Sequence, residues 1–165
     1  MSEIILTDQG IEKLLKELKP LPYDWRSKNQ PVKNNIEIIQ TIQVIGTNNN
    51  IFVLKLRQNS IKNNNFCLTL AYKDSEAGKL FHLKRYDSFN EHTNRIEKES
   101  FEGFHVHTAT ERYQEFGLKR EDAYAEVTDR FNNYENALKC LLEDCNFIVS
   151  TDPQISLFRD RYGSN

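Results

Sequence analysis

The sequence predicts an α+β domain in which a mostly antiparallel sheet of five or six strands carries an N-terminal helix and a C-terminal helix packed on it. Alternation of apolar and polar side chains with a period of two dominates the middle of the chain, which is typical of strands. Turn-forming stretches rich in asparagine and glycine separate these segments, and no β-α-β alternation occurs. Because no linker rich in glycine, serine or proline interrupts the chain, we expect residues 1–165 to form one domain.

The N-terminal helix is predicted to begin at Asp8, whose carboxylate can accept hydrogen bonds from the exposed N–H groups of a first turn. Its apolar face follows the helical spacing and comprises Ile11, Leu14, Leu15 and Leu18. Pro20 and Pro22 are expected to end the helix, because proline lacks an N–H donor. Residues 23–35 are expected to form a connecting loop in which Trp25 covers the core.

The strands are predicted from alternation and from the turns between them. Their ranges are 36–44, 51–56, 66–72, 80–87 and 104–107. Residues 123–128 alternate in a way that favours a short further strand, although their alanine and glutamate content also suits a helix. A C-terminal helix is predicted to begin near Asn133. Its continuous apolar face comprises Tyr134, Ala137, Leu138, Leu141, Leu142 and Cys145.

The composition indicates a protein of a reducing cytoplasm. The three cysteines are sparse and form no C-x-x-C pair, which favours free thiols over a disulfide framework. The apolar runs are far shorter than the roughly 20 residues that cross a bilayer, so no membrane partner is expected. The first residues have neither a basic leader nor an apolar run long enough for a signal peptide. We therefore expect a cytoplasmic location.

Charge and motifs exclude several classes of function. A formal net charge of −2 gives no global attraction to nucleic acid, so any basic patch has to be assembled by folding. The chain has only six glycines and no glycine-rich phosphate loop, which argues against a nucleotide cofactor. It also lacks the G-x-S-x-G turn of serine hydrolases.

Chemically active side chains are concentrated in four short motifs. These are Arg85-x-Asp87, His92-x-Asn94, His105-x-His107 and Glu111-Arg112-Tyr113. Residues two apart in a strand project to the same face, so His105 and His107 are expected to share a face. Arg85 and Asp87 are expected to do the same on a neighbouring strand, where they can orient a histidine or hold a phosphate. The motifs therefore predict one cleft lined by imidazole, guanidinium and carboxylate groups.

The chemistry that these groups favour is general acid–base cleavage of a phosphodiester. Histidine titrates near neutral pH and can activate a ribose hydroxyl or a water molecule, while arginine holds the charged phosphate. In this interpretation the catalytic residues are His105, His107 and Asp87, and no metal or other cofactor is needed. The residues predicted to bind the substrate are Arg85, His92, Asn94, Arg112 and Tyr113.

Two other interpretations of the histidines remain open. His105 and His107, together with His92 or Asp87, supply the nitrogen and oxygen donors that zinc and manganese sites use. Alternatively, the paired histidines are polar residues on the solvated face of a half-buried strand, hydrogen-bonded to Asp87 or Glu111. An H-x-H spacing alone does not choose between these interpretations.

The order of the motifs resembles that of the small bacterial TumE-like proteins of toxin–antitoxin modules and of related uncharacterised families. The resemblance covers the second half of the chain, from Arg85-x-Asp87 through the paired histidines to Cys145-Asn146-Phe147. It implies a compact α+β toxin-like protein that acts on RNA, with His105 and His107 matching the family's paired histidines.

On this basis we expect a toxin-like or defence-associated RNA-binding protein and a metal-independent ribonuclease, with RNA and a cognate antitoxin as partners. The alternatives are a non-enzymatic protein-interaction module or inhibitor and a metal-dependent hydrolase.

Overall fold

A computed structural model describes residues 5–62, 64–116 and 120–151. The helices in these ranges are α1 (Asp8–Lys16), α2 (Trp25–Lys28), α3 (Glu111–Glu115) and α4 (Tyr134–Asp144). The strands are β1 (Lys19–Leu21), β2 (Val32–Lys33), β3 (Glu37–Ile45), β4 (Ile51–Asn59), β5 (Phe66–Lys73), β6 (Leu80–Asn94), β7 (Glu99–Thr108), β8 (Ala125–Val127) and β9 (Phe147–Val149). The predicted C-terminal loop beyond residue 151 lies outside the described ranges.

Strands β2 to β8 form an antiparallel sheet in chain order, seven strands wide across the described residues. This architecture confirms the predicted α+β class with a helix towards each end, and the sheet is somewhat larger than expected. Helix α4 packs against β5 and β6. Alternate side chains of the central strands, such as Leu54, Leu68 and Leu70, are fully buried in the core beneath it. The period-two pattern therefore arises from one apolar face of the sheet.

Strand β6 is longer than predicted and contains the irregularity that shapes the site. It was expected to end at Asp87, but it continues to Asn94 and turns directly into β7. Asp87 pairs with His105, whereas Asn90 pairs with Gly103, so β6 has one more residue than β7 between these two pairs. This β-bulge reverses the alternation of β6, because one extra residue moves every later side chain to the other face.

The N-terminal region differs from its prediction in three respects. Thr7, and not Asp8, accepts the capping hydrogen bond of α1, and the helix ends at Lys16, so Leu18 lies beyond it. Residues 19–21 form a strand despite Pro20, because β1 pairs in parallel with the distant β9. The predicted loop 23–35 contains the short helix α2 and the short strand β2, and Trp25 is buried as predicted.

The C-terminal half follows its prediction more closely. Residues 125–127 form strand β8, as the alternation favours, and α4 is capped by the Asn133 side chain. Helix α3 was not predicted; the Thr110 hydroxyl caps it by accepting a hydrogen bond from the Tyr113 N–H. All three cysteines are free thiols, in agreement with the expectation from their spacing.

A buried lysine joins the two ends of the fold. The Lys19 side chain is fully buried, and its ammonium group donates to the carbonyl oxygens of Leu14, Leu15, Glu17 and Cys145 at 2.7–3.0 Å. It also lies 4.5 Å from the centre of the Phe52 ring. Burial lowers its pKa to about 8. Lys19 therefore satisfies carbonyl groups at the C-terminal ends of both α1 and α4, which would otherwise be buried without partners.

Substitution Lys19→Met is expected to lower the free energy of unfolding by about 2–4 kcal/mol. The methionine side chain has a similar length but no N–H donor, so several buried carbonyl oxygens lose their hydrogen-bond partner. Urea denaturation of the purified variant measures this loss. The matched control is Lys16→Met, which removes an exposed lysine whose ammonium group is paired with Glu12 and is expected to change stability by less than about 0.5 kcal/mol. Equal unfolding midpoints for the two variants would contradict this role of Lys19.

Candidate functional site

Three histidines from two neighbouring strands converge on one point. His105 and His107 lie on the same face of β7, and the bulge places His92 of β6 on that face as well. One ligand nitrogen from each ring lies within 4.8 Å of those of the other two. His105 and His107 are each only 2% exposed, so the interpretation of these histidines as residues of a solvated face is wrong.

Each of the three rings has one nitrogen hydrogen-bonded to an oxygen of fixed position. His105 Nδ1 donates to the Gly103 carbonyl at 2.8 Å, and His107 Nδ1 donates to the Asp122 carbonyl at 2.7 Å. A carbonyl oxygen cannot donate, so both Nδ1 atoms carry a proton. A neutral ring carries one proton, so in the neutral form of these rings Nε2 is the nitrogen that can act as a ligand or a base.

His92 is held in the same manner by a side-chain amide. Asn94 accepts from the Ala125 N–H at 2.9 Å and donates to the Ala125 carbonyl at 2.8 Å, which fixes the orientation of its amide group. The same Asn94 oxygen accepts from His92 Nε2 at 3.0 Å. His92 in its neutral form therefore has its free lone pair on Nδ1. Burial lowers the pKa of both His92 and His105, which favours the neutral rings.

Asp87 places a carboxylate beside two of these rings. Its Oδ2 lies 3.3 Å from His107 Nε2 and 3.6 Å from His105 Nε2. Burial opposes ionisation of Asp87, but its contacts with His107, the Arg85 guanidinium and the Cys67 thiol together lower its pKa to about 2. The site thus holds an ionised carboxylate next to the Nε2 atoms of two imidazole rings.

A second carboxylate lies behind the first. Arg85 Nε is 3.5 Å from Asp87 and 3.4 Å from Asp122, and Arg120 Nε is 3.6 Å from Asp122. Asp122 is fully buried, and neither of its oxygens has a hydrogen-bond partner among the described residues; the same holds for Arg85 Nε. Arg85 also approaches His107 Nδ1 to 3.1 Å, but both atoms carry protons, so this contact is not a hydrogen bond.

The cluster forms the wall of a cavity of about 730 Å³. This volume lies within the range of small-ligand sites. Of the residues predicted for the site, the cavity is lined by Arg85, Asp87, His92, His105, His107 and Tyr113. Most of the predicted constellation is therefore brought together in space.

Two predicted residues lie elsewhere. Asn94 is buried behind His92 and holds it in place instead of facing the cavity. Arg112 forms an ion pair with Glu97 and lies over the rings of Tyr113 and Tyr124, outside the cavity lining. Glu111, the other partner proposed for the histidines, instead contacts Asp8 through its backbone N–H.

Four further charged groups at the site were not among the predicted site residues. Glu91, Arg95 and Arg120 line the cavity, and Asp122 lies behind it. The sequence did contain a signal for Arg120 and Asp122, because Arg120-x-Asp122 repeats the spacing of Arg85-x-Asp87.

No protein-family model matches the chain, and neither a curated protein nor a solved structure matches it. The resemblance to TumE-like proteins therefore stays a prediction. Within the described ranges, no helix has the length and apolar character needed to cross a bilayer.

Acid is expected to destabilise the metal-free protein through His92 and His105. Their folded-state pKa values lie below the ordinary value of 6.5, so the unfolded chain binds more protons in mildly acidic solution. Their contribution to stability is complete above about pH 6.5 and is lost as the pH falls through that value towards the lower folded-state pKa values.

Thermal unfolding of chelator-treated protein between pH 7.5 and 5 measures this effect. A His92→Gln, His105→Gln double variant is expected to lose less stability over this range than the unmodified chain. Thr93→Ala on the same strand is the control, because it removes no titratable group. The idea fails if the double variant retains the full pH dependence.

Proposed function

We propose that the protein is a metal-dependent hydrolase in which His92, His105 and His107 bind a divalent transition metal such as zinc. The observation that carries the proposal is the arrangement of the three rings. Each ring has one nitrogen fixed by a hydrogen bond to an oxygen, and one ring nitrogen of each lies within 4.8 Å of those of the other two. A hydrogen bond from the second ring nitrogen to a carbonyl, carboxylate or similar oxygen is the usual support of a metal-binding histidine.

Lone-pair repulsion favours a cation at this point. When both rings are neutral, Nε2 of His105, Nε2 of His107 and the Asp87 oxygen present only lone pairs to one another, which is unfavourable without a positive charge between them. A proton shared by His107 and Asp87 would draw the two atoms to about 2.7–2.9 Å. The separations of 3.3 and 3.6 Å are longer than this.

The cavity favours hydrolysis over a purely structural role for the metal. Three protein ligands that open onto a cavity leave a position for water, as in catalytic zinc sites. A zinc ion at such a site lowers the pKa of bound water towards neutrality. Asp87, whose pKa is lowered to about 2 and which lies beside His105 and His107, would accept a hydrogen bond from that water and orient it.

Metal binding is expected at one ion per chain, as measured by titration with zinc against a chromophoric chelator. His105→Gln and His107→Gln are each expected to lower the affinity at least about 100-fold, because each removes one ligand. The control is His82→Gln, which replaces the fourth histidine; that residue pairs with Glu121 and lies outside the cluster. Unchanged zinc affinity in His105→Gln would refute the proposed site.

The cofactor-free acid–base mechanism is the second candidate function. It is favoured by the position of Asp87 within ion-pair range of His107 and beside Arg85, an arrangement that suits proton transfer near a phosphate. Its RNA substrate, its toxin role and its antitoxin partner are expected from the sequence alone and stay predictions.

Chelation separates the two mechanisms. Hydrolysis of bis(p-nitrophenyl) phosphate by the metal-loaded protein is expected to stop after treatment with a chelator and to return on addition of zinc. A His107→Gln variant is the matched negative control, since it removes a ligand without adding charge. Full activity in protein that elemental analysis shows to be metal-free would favour the acid–base mechanism and contradict our proposal.

A further inference from the structure

We infer that Arg85 and Arg120 form a clamp for the phosphodiester group of a single-stranded polynucleotide substrate. This inference rests on the proposed function and names the substrate class of the same site. The clamp is defined by the guanidinium groups of these two residues and by the buried Asp122 carboxylate between them.

Asp122 is a buried charge that the histidine site alone does not explain. It is fully buried, yet its two oxygens make only long ionic contacts, 3.4 Å to Arg85 Nε and 3.6 Å to Arg120 Nε. A buried carboxylate without hydrogen bonds is unfavourable unless it has cationic partners. The geometry therefore assigns Asp122 the task of holding two guanidinium groups side by side.

The contacts of both arginines with Asp122 are made through Nε, which leaves their terminal nitrogens for another acceptor. A fork-to-fork pair with a carboxylate would use a terminal nitrogen of the guanidinium, but no such pair with Asp122 occurs in the described residues. Arg85 Nη2 lies 3.1 Å from His107 Nδ1, which carries a proton and cannot accept. Two guanidinium groups with unused terminal donors suit the several oxygens of a phosphate.

The charge of the site also favours an anion. Asp87 and Asp122 balance Arg85 and Arg120, so a divalent cation at the histidines leaves the cluster with a net positive charge. Arg95 and Glu91, both exposed on the same cavity wall, balance each other, so this net positive charge remains. An anionic group held between the clamp and the metal site would be attracted from both sides.

The position of the clamp favours a phosphodiester over a terminal phosphate. Arg85 and Arg120 line both the 730 Å³ cavity and a second cavity of about 200 Å³ on the same face of the sheet. A phosphate held between the two cavities can carry a substituent in each. The second cavity continues across β5 and β4 to Lys55, which is placed to meet the next phosphate of an extended strand, whereas the neighbouring Arg57 is paired with Glu37.

Burial of the catalytic side chains favours a single strand. His105 and His107 are almost completely buried and are reached through the cavity. A base-paired duplex is too wide and stiff to enter a cavity of this size, whereas one flexible strand can follow the groove.

Fluorescence anisotropy with a fluorescein-labelled eight-residue oligouridylate tests the clamp. Binding is measured in chelator, so that no metal-dependent turnover interferes. Arg120→Gln is expected to weaken binding about tenfold and Lys55→Gln about threefold, each with a smaller dependence on salt concentration. The matched control is Arg26→Gln, because Arg26 is similarly exposed but pairs with Glu135 on α4; it is expected to bind like the unmodified chain.

The outcomes separate this inference from the proposed function. If Arg120→Gln binds the oligouridylate as tightly as the unmodified chain while zinc binding is intact, the clamp is refuted and the metal site stands. If binding depends on Arg120 but no zinc is bound, the clamp stands and the proposed metal function fails. A third outcome is that uridine monophosphate binds as tightly as the oligouridylate and that Lys55→Gln does not change the affinity. This result would overturn the assignment of a phosphodiester.

Discussion

The β-bulge between Asp87 and Asn90 is the constraint on which the site depends. Strict alternation along β6 would place His92 on the face opposite Asp87, because the two residues are five positions apart. The extra residue reverses that alternation, so His92 joins His105 and His107 on one face. A backbone irregularity of one residue thus turns a pair of histidines into a cluster of three, which is a common use of bulges near functional sites.

The backbone around the site also fixes the chemical state of its side chains. Carbonyl groups of Gly103 and Asp122 and the amide of Asn94 each hold a proton on one nitrogen of a ring. Asn94 in turn is oriented by Ala125 of β8, which also pairs with β7 at His107, so the edge strand of the sheet supports the histidine cluster. This arrangement organises the rings before any ligand arrives and reduces the loss of side-chain entropy on binding.

Elements with regular local patterns were predictable from the sequence. The hairpin around residues 46–50, the strand around His105 and His107, and helix α4 all have regular apolar spacing, and the structure contains them. The second half of β6 has polar side chains on a cavity wall and lacks that spacing, so it resembled a loop. The roles of His92 and Asp122 depend on a bulge and on contacts between distant segments, which leave no periodic signal. Strand β1 was missed for the same reason, since its only partner among the described residues, β9, is more than 120 residues away.

The buried ammonium of Lys19 has a consequence for the order of events during synthesis. One of its acceptors is the carbonyl of Cys145, 126 residues later in the chain, and the same region supplies the partner strand of β1. The N-terminal segment therefore cannot complete its native contacts until almost all of the described chain has left the ribosome. Contacts of such long separation form slowly, because closing the intervening loop carries a large entropy loss. We expect helix α1 to reach its native packing only after α4 and β9 have been synthesised.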